Sequence, residues 1–187
     1  GDTEDDITFS IYLSIPVLPE NPGIDGVPLA IIFHAFNNPD RDSYTDWIDR
    51  LIGKGMVVAY IQYPTDVRPE GGDDWDDEVF QGTSDWPHHV PRLYSIYSAV
   101  KQLNSIISDE TRGAEIDDVL GNLTIMPEHL YIGGHSLGGA YSLNALQMVQ
   151  EFGWGSETLV VNTEMAASRP IQDPVSYTHL TLPTRSY

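Results

Sequence analysis

Residues 7–15, ITFSIYLSI, alternate without a break. Ile7, Phe9, Ile11, Leu13 and Ile15 fall on one side, and Thr8, Ser10, Tyr12 and Ser14 on the other. A period of two is the pattern of a strand buried on one face, here antiparallel and near a sheet edge. From Pro16 to Pro28 the chain holds four prolines and two glycines, which reads as loop. Leu29–Phe33 is a continuous apolar run, the pattern of a strand covered on both faces. Ser43 is then placed to cap a helix through about Lys54, with Asp46 at its third position and Gly53 or Gly55 as its stop. Its apolar face is Trp47, Ile48, Leu51 and Ile52. Met56–Ile61 is a second buried strand. Strand, helix and strand in this order predict parallel pairing with a right-handed crossover.

Residues 62–87 are long, polar and acidic, the mark of a functional excursion or a mobile loop. Leu93, Tyr97, Val100, Leu103 and Ile107 form one helical stripe and predict a helix over 90–108. Another polar connection runs over 109–127, with a short helix at 116–120. A short strand at 129–132 leads into a helix from Ser136 to about Phe152, and Thr158–Val161 is the last clear strand. The pattern as a whole predicts one α/β domain, a mostly parallel sheet with helices on both faces. The length of 187 residues fits one domain.

Charge and composition narrow the function. Nine basic and 28 acidic residues give a formal charge of −19. Such a chain is repelled by nucleic acid and by an anionic membrane surface. With 41% hydrophobic residues it still has material for a core. No apolar run is long enough to span a bilayer. The absence of cysteine excludes disulfides, thiolate zinc sites and cysteine nucleophiles. The composition fits a secreted or cell-envelope location as well as a cytoplasmic one, and leaves the oligomeric state open.

One motif carries chemistry. Between the 129–132 strand and the next helix stands Gly133-Gly134-His135-Ser136-Leu137-Gly138-Gly139-Ala140, which contains G-x-S-x-G. A sharp strand-to-helix turn would strain the Ser136 backbone and expose its hydroxyl at the carboxyl edge of the sheet. Gly134 and Gly138 are needed because side chains there would collide. The Leu137 amide, at the helix start, would point where an oxyanion develops.

GGHSLGG resembles the nucleophile elbow of the α/β-hydrolase superfamily. LAIIFHAF, residues 29–36, resembles its strand and oxyanion loop, and YTDWIDRLIGKGMVVAYIQY, residues 44–63, its following helix and strand. The likeness is greatest to the small esterase, lipase and dienelactone-hydrolase-like branch and spans about residues 7–165. The resemblance implies Ser136 as nucleophile and the amides of Leu137 and Phe36 as the oxyanion hole, with Ala35 the alternative donor, standing where glycine is common. His34 reads as a structural loop histidine, since the superfamily order is serine, acid, histidine. His135 packs within the elbow. The implied activity is hydrolysis of a carboxylic ester of a small molecule through an acyl-enzyme, with no cofactor and no metal. A peptidase or acyltransferase on the same scaffold is the alternative enzyme, and a non-catalytic binding domain the alternative from another class.

Other groups carry less. The run Asp73-Asp74-Trp75-Asp76-Asp77-Glu78 lacks the ligand order of a calcium loop and reads as a solvated acidic segment. His88 and His89 are adjacent and diverge. Trp75, Trp86 and Tyr63 would line an acyl pocket or anchor the loop that holds them.

The chain after Ser136 is short for this fold. Fifty-one residues follow it, too few for the two further units that would bring the acid and the histidine. Residues 175–184, VSYTHLTLPT, resemble a translated transposon-end adaptor of sequencing libraries. Residues 1–174 are therefore expected to be a partial hydrolase domain, incomplete at its C-terminal side, and 175–187 a non-native tail. His179 falls inside that tail and is rejected as the base. Glu164, just beyond the last strand, is the candidate acid.

Overall fold

The computed structural model describes residues 9–17, 26–36, 38–65, 89–108, 120–121 and 123–164. They form β1 (Ser10–Ser14), β2 (Val27–Phe33), α1 (Thr45–Ile52), β3 (Val57–Gln62), α2 (His89–Ile107), β4 (Ile125–His135), α3 (Leu137–Glu151) and β5 (Thr158–Glu164). The five strands make one sheet in the order β1-β3-β2-β4-β5. β1 runs antiparallel to β3 and every other pairing is parallel, so the sheet is mostly parallel.

The two faces are covered by different helices. On one, α1 places Ile48 and Leu51 against Ala30, Ile32, Val58, Tyr60 and Tyr131. On the other, α2 supplies Ile96, Ala99, Val100, Leu103 and Ile106. There α3 adds Tyr141, Ala145, Leu146 and Val149 against Leu29, Ile31, Phe33 and Ile132. β2, β3 and much of β4 are therefore buried on both sides, which is why their sequences are apolar runs rather than alternations. β1 lies at the edge and alternates: Phe9, Ile11, Leu13 and Ile15 pack on the core, while Tyr12 is exposed.

Several expectations move. β2 begins at Val27, not Leu29, and so takes in Pro28, which sits at a register shift between Pro28 and Leu29. A proline lacking its N–H is tolerated in a central strand at such an irregularity. Ser43 does not cap α1. Its hydroxyl bonds Asn38 Oδ1, and the chain enters α1 through a 3₁₀ turn, Arg41–Tyr44, whose N-cap is Asp40. β4 starts at Ile125 and β5 continues to Glu164, so Glu164 ends a strand rather than following one. The 116–120 helix lies outside the described residues except for Leu120, which is buried. The acidic run 73–78, Trp75, Trp86, His88 and the 175–187 tail lie outside them altogether.

The strand order locates the site. From β2 the chain passes over one face through α1 to β3. It then returns across the other face through α2 to β4, on the far side of β2. β2 and β4 are neighbours whose outgoing helices cover opposite faces. In an open parallel sheet this is where the connections part, leaving a crevice beyond the carboxyl ends of the strands. Here those ends are Phe33 and His135, and the residues that follow them are His34-Ala35-Phe36 and Ser136-Leu137.

Candidate active site

Ser136 sits between β4 and α3 with φ 55° and ψ −119°. It is the non-glycine residue with positive φ among the described residues. An L-residue in this region carries strain of order 1–3 kcal/mol, tolerated only where the surroundings fix it. They do so here on both sides. β4 is paired with β2 and β5 up to the turn, and α3 begins at once with Leu137. The serine side chain makes no capping bond to the helix, and Gly139 N–H bonds the Ser136 carbonyl instead at 3.0 Å.

The glycines are required by crowding. A Cβ on Gly134 would run into the Gly138 carbonyl and lie 2.7 Å from Gly139 N. One on Gly138 would run into the carbonyl oxygens of Phe33 and His34 and lie 2.7 Å from the Phe33 carbonyl carbon. The first turn of α3 thus rests on the end of β2. That contact brings the elbow and the loop after β2 together.

That loop is tied down by side chains. His34 is buried, and its ring stacks on Tyr63 at 3.8 Å between centroids. Its Nδ1 bonds the Ala35 carbonyl at 2.7 Å, and its Nε2 accepts the Tyr63 N–H at 3.0 Å. Tyr63 Oη returns a bond to the His34 carbonyl at 2.7 Å. Burial lowers the His34 pKa below its usual value, against the raising effect of the backbone bonds to Ala35 and Tyr63. Both ring nitrogens are engaged and the ring is neutral, which suits a structural histidine and not a base. Tyr63 is accordingly an anchor rather than a pocket wall. Ala35 donates its N–H to Tyr44 Oη at 2.7 Å. The Pro39 carbonyl accepts from Tyr60 Oη at 2.8 Å and Gln62 Nε2 at 3.0 Å. The Arg92 guanidinium lies 4.7 Å from the centre of the Phe36 ring, and Arg92 Nε bonds the Pro64 carbonyl at 3.0 Å. Tyr141, on α3, has its phenol pushed up to about 12 by burial, against the lowering effect of Arg92.

The structure therefore brings Ser136, Leu137, His135, Ala35 and Phe36 to one end of the sheet. His135 is half-buried, with its ring 6.4 Å from that of Tyr44. Glu164 pairs with His135 across β4 and β5, one position before the serine. His129 bonds Thr158 Oγ1 and lies about 20 Å back along β4, at ~3.3 Å per residue. Among the described residues no group of three or more acidic or histidine side chains is disposed to hold a metal. None of their helices is long and apolar enough to cross a membrane. Tyr44, Tyr60, Gln62 and Arg92 were not singled out by the sequence. Their partners lie 9 to 56 residues away along the chain, and no local pattern marks such a pair.

No protein-family model matches the chain, and no curated protein matches it. Three solved structures illustrate what it resembles. Est1E from Butyrivibrio proteoclasticus is 19% identical, with a TM-score of 0.44 over 79% of this chain and 44% of that one. A ferulic acid esterase from Streptomyces cinnamoneus is 18% identical, with a TM-score of 0.42 over 66% and 33%. Brefeldin A esterase, a bacterial homologue of human hormone sensitive lipase, is 16% identical, with a TM-score of 0.42 over 82% and 38%. The chain spans less than half the length of each of these esterases.

Proposed function

We propose that this chain carries the nucleophile and oxyanion site of an α/β-hydrolase that cleaves carboxylic esters of small molecules. The observation that carries the reading is Ser136 at φ 55° in a strand-to-helix turn, between glycines that backbone crowding leaves no alternative to. Ser136 Oγ attacks the ester carbonyl and an acyl-enzyme forms, which water then releases. The developing oxyanion is taken up by the amides of Leu137, at the N-terminus of α3, and Phe36. Glu164, at the carboxyl end of β5, is the acid candidate in this chain. We assign no base in this chain: among the described histidine side chains His34 is bonded at both ring nitrogens, His129 lies well back along β4 and His135 packs by Tyr44, while His179 lies in the adaptor-like tail. Losing a triad member leaves about 10³–10⁴-fold enhancement over water, so this chain hydrolyses esters slowly.

Two measurements test the reading. A fluorophosphonate probe at high concentration is expected to label the chain at Ser136 by peptide mass mapping, and Ser136→Ala to abolish labelling. Equal labelling of the alanine variant would overturn the nucleophile assignment. Hydrolysis of p-nitrophenyl acetate is expected well below ordinary enzymatic rates. A normal rate lost in both Ser136→Ala and His179→Ala would show that the tail supplies the base.

A further inference from the structure

Arg92, in the first turn of α2, is 1% exposed and reaches three other segments at once. Its Nε–H donates to the Pro64 carbonyl at 3.0 Å and an Nη2–H to the Thr65 carbonyl at 3.2 Å, just past the end of β3. Its Cζ lies over the Phe36 ring, in the loop after β2, 4.7 Å from the ring centre. The Tyr141 phenol, in the second turn of α3, accepts a side-chain hydrogen bond from it. We propose that Arg92 is a positioning residue for Ser136: it fixes the spacing between the helix that follows the serine and the loop after β2. This deepens the reading of Ser136 as nucleophile and rests on it.

Helix and loop meet where the first turn of α3 rests on the carbonyls of Phe33 and His34. Phe36 stands two residues beyond His34, and Tyr141 three beyond Gly138, so that contact does not set the distance between them. A group from a third element that holds both does. The carbonyls of Pro64 and Thr65 in turn tie this group to the end of a buried strand. Arginine suits the task. Its planar fork places N–H donors along its edge and leaves its faces for an aromatic ring, whereas the lysine ammonium is a point charge with no such division. A buried cation is costly unless it is well bonded, which fits a residue kept for what it holds in place. Misplacing reacting groups by about 1 Å can cost ~10²-fold in rate. Loosened spacing should therefore register in the reaction of Ser136 more than in the stability of the fold.

The test follows phosphonylation by the fluorophosphonate probe across a range of probe concentrations. The Ser136 oxygen bonds phosphorus, fluoride leaves and the serine proton passes to buffer. The saturated rate and the half-saturating concentration are read separately, on folded protein. Arg92→Lys is expected to lower the saturated rate by about ten- to a hundredfold and to change the half-saturating concentration little. Val100→Ala, buried on the same helix about 12 Å further along at ~1.5 Å per residue, is expected to lower the denaturant midpoint and leave both constants native. Phe36→Leu and Tyr141→Phe are each expected to slow the saturated step. Because both act through Arg92, the double variant is expected to lose less than the product of the two, and this coupling to vanish in an Arg92→Lys background. A native saturated rate in Arg92→Lys, the same slowing in Val100→Ala, or multiplicative losses in the double variant would each overturn the role of Arg92 while the nucleophile reading stood. Should Arg92→Lys fail to fold, the double variant in the native background decides alone. A native chain that is not labelled, or a Ser136→Ala variant labelled equally, would overturn both.

Discussion

The turn around Ser136 and the loop after β2 lie against each other, yet opposite means hold them in place. The turn depends on atoms that are absent: Gly134 and Gly138 leave room for carbonyls that any Cβ would strike. The loop depends on side chains that are present: Tyr44, Tyr63 and Arg92 each fasten a different point of it, and Tyr60 and Gln62 together hold the Pro39 carbonyl. Crowding of backbone against backbone has little adjustable part, because the partners lie at the ends of β2 and β4, at His34 just after β2 and at the start of α3. A loop held by several bonds shares its load. The first kind of site should fail abruptly under one substitution, and the second should weaken by degrees.

Gly138→Val is the most direct way to break the turn and has the largest expected effect. The new side chain would have to displace the carbonyls of Phe33, which ends a central strand, and of His34, which follows it. Ordinary overpacking costs ~1–3 kcal/mol because side chains can shift. Here no side chain is available to shift, so a loss above ~3 kcal/mol or failure to fold is expected, read as the denaturant midpoint. A variant as stable as the native chain would show that the turn is looser than drawn.

Tyr63→Phe probes the other side of the comparison. It deletes the bond from Tyr63 Oη to the His34 carbonyl and leaves the ring stacked on His34. The expected loss is ~1–2 kcal/mol, the cost of one unsatisfied buried acceptor, with the fold retained. If this change proved as severe as Gly138→Val, the loop would hang on one anchor rather than several.

These two regions also differ in how far the sequence reveals them. The turn is contiguous, and G-x-S-x-G between a strand and a helix is visible by inspection of residues 129–152. The sheet was legible for the same local reason, since apolar runs and alternation record burial on two faces or one. Pro28 was misread because its punctuating force is a local rule, while the irregularity that admits it depends on pairing with β4. Ser43 was misread because its competing partner, Asn38, lies across a turn rather than along the helix. Tyr63 and His34 stood out as candidate structural residues, but the other anchors of the loop were invisible, since Arg92 reaches Phe36 from another helix.

Acid sharpens the comparison within the loop. His34 is neutral and buried, with its pKa lowered chiefly by burial, so the unfolded chain binds a proton more readily than the folded one. Its contribution to stability is therefore full above its ordinary pKa of 6.5 and is lost as the pH falls below that. The slope from this one group can reach ~1.4 kcal/mol per pH unit. His34→Gln, which cannot charge, is expected to flatten the stability profile below the ordinary pKa of 6.5 relative to the native chain, at some constant cost. An unchanged slope in the variant would show that other groups set the acid response.

The smallest effect expected is at Ser136 itself, and it decides what the serine is for. Its side chain caps nothing in α3, so Ser136→Ala removes no structural bond and should leave the midpoint nearly unchanged. The strain belongs to the backbone at φ 55°, which alanine shares and glycine does not. Ser136→Gly should therefore be stabilised relative to Ser136→Ala by up to ~1–2 kcal/mol, the cost of the left-handed region for an L-residue, less the entropy that glycine loses on folding. This ordering, glycine above alanine and alanine level with serine, is what a residue kept for chemistry in a strained turn predicts. A serine markedly more stable than alanine would mean that its hydroxyl does structural service. The reason for tolerating a non-glycine residue at this φ would then lie in the fold rather than in a reaction.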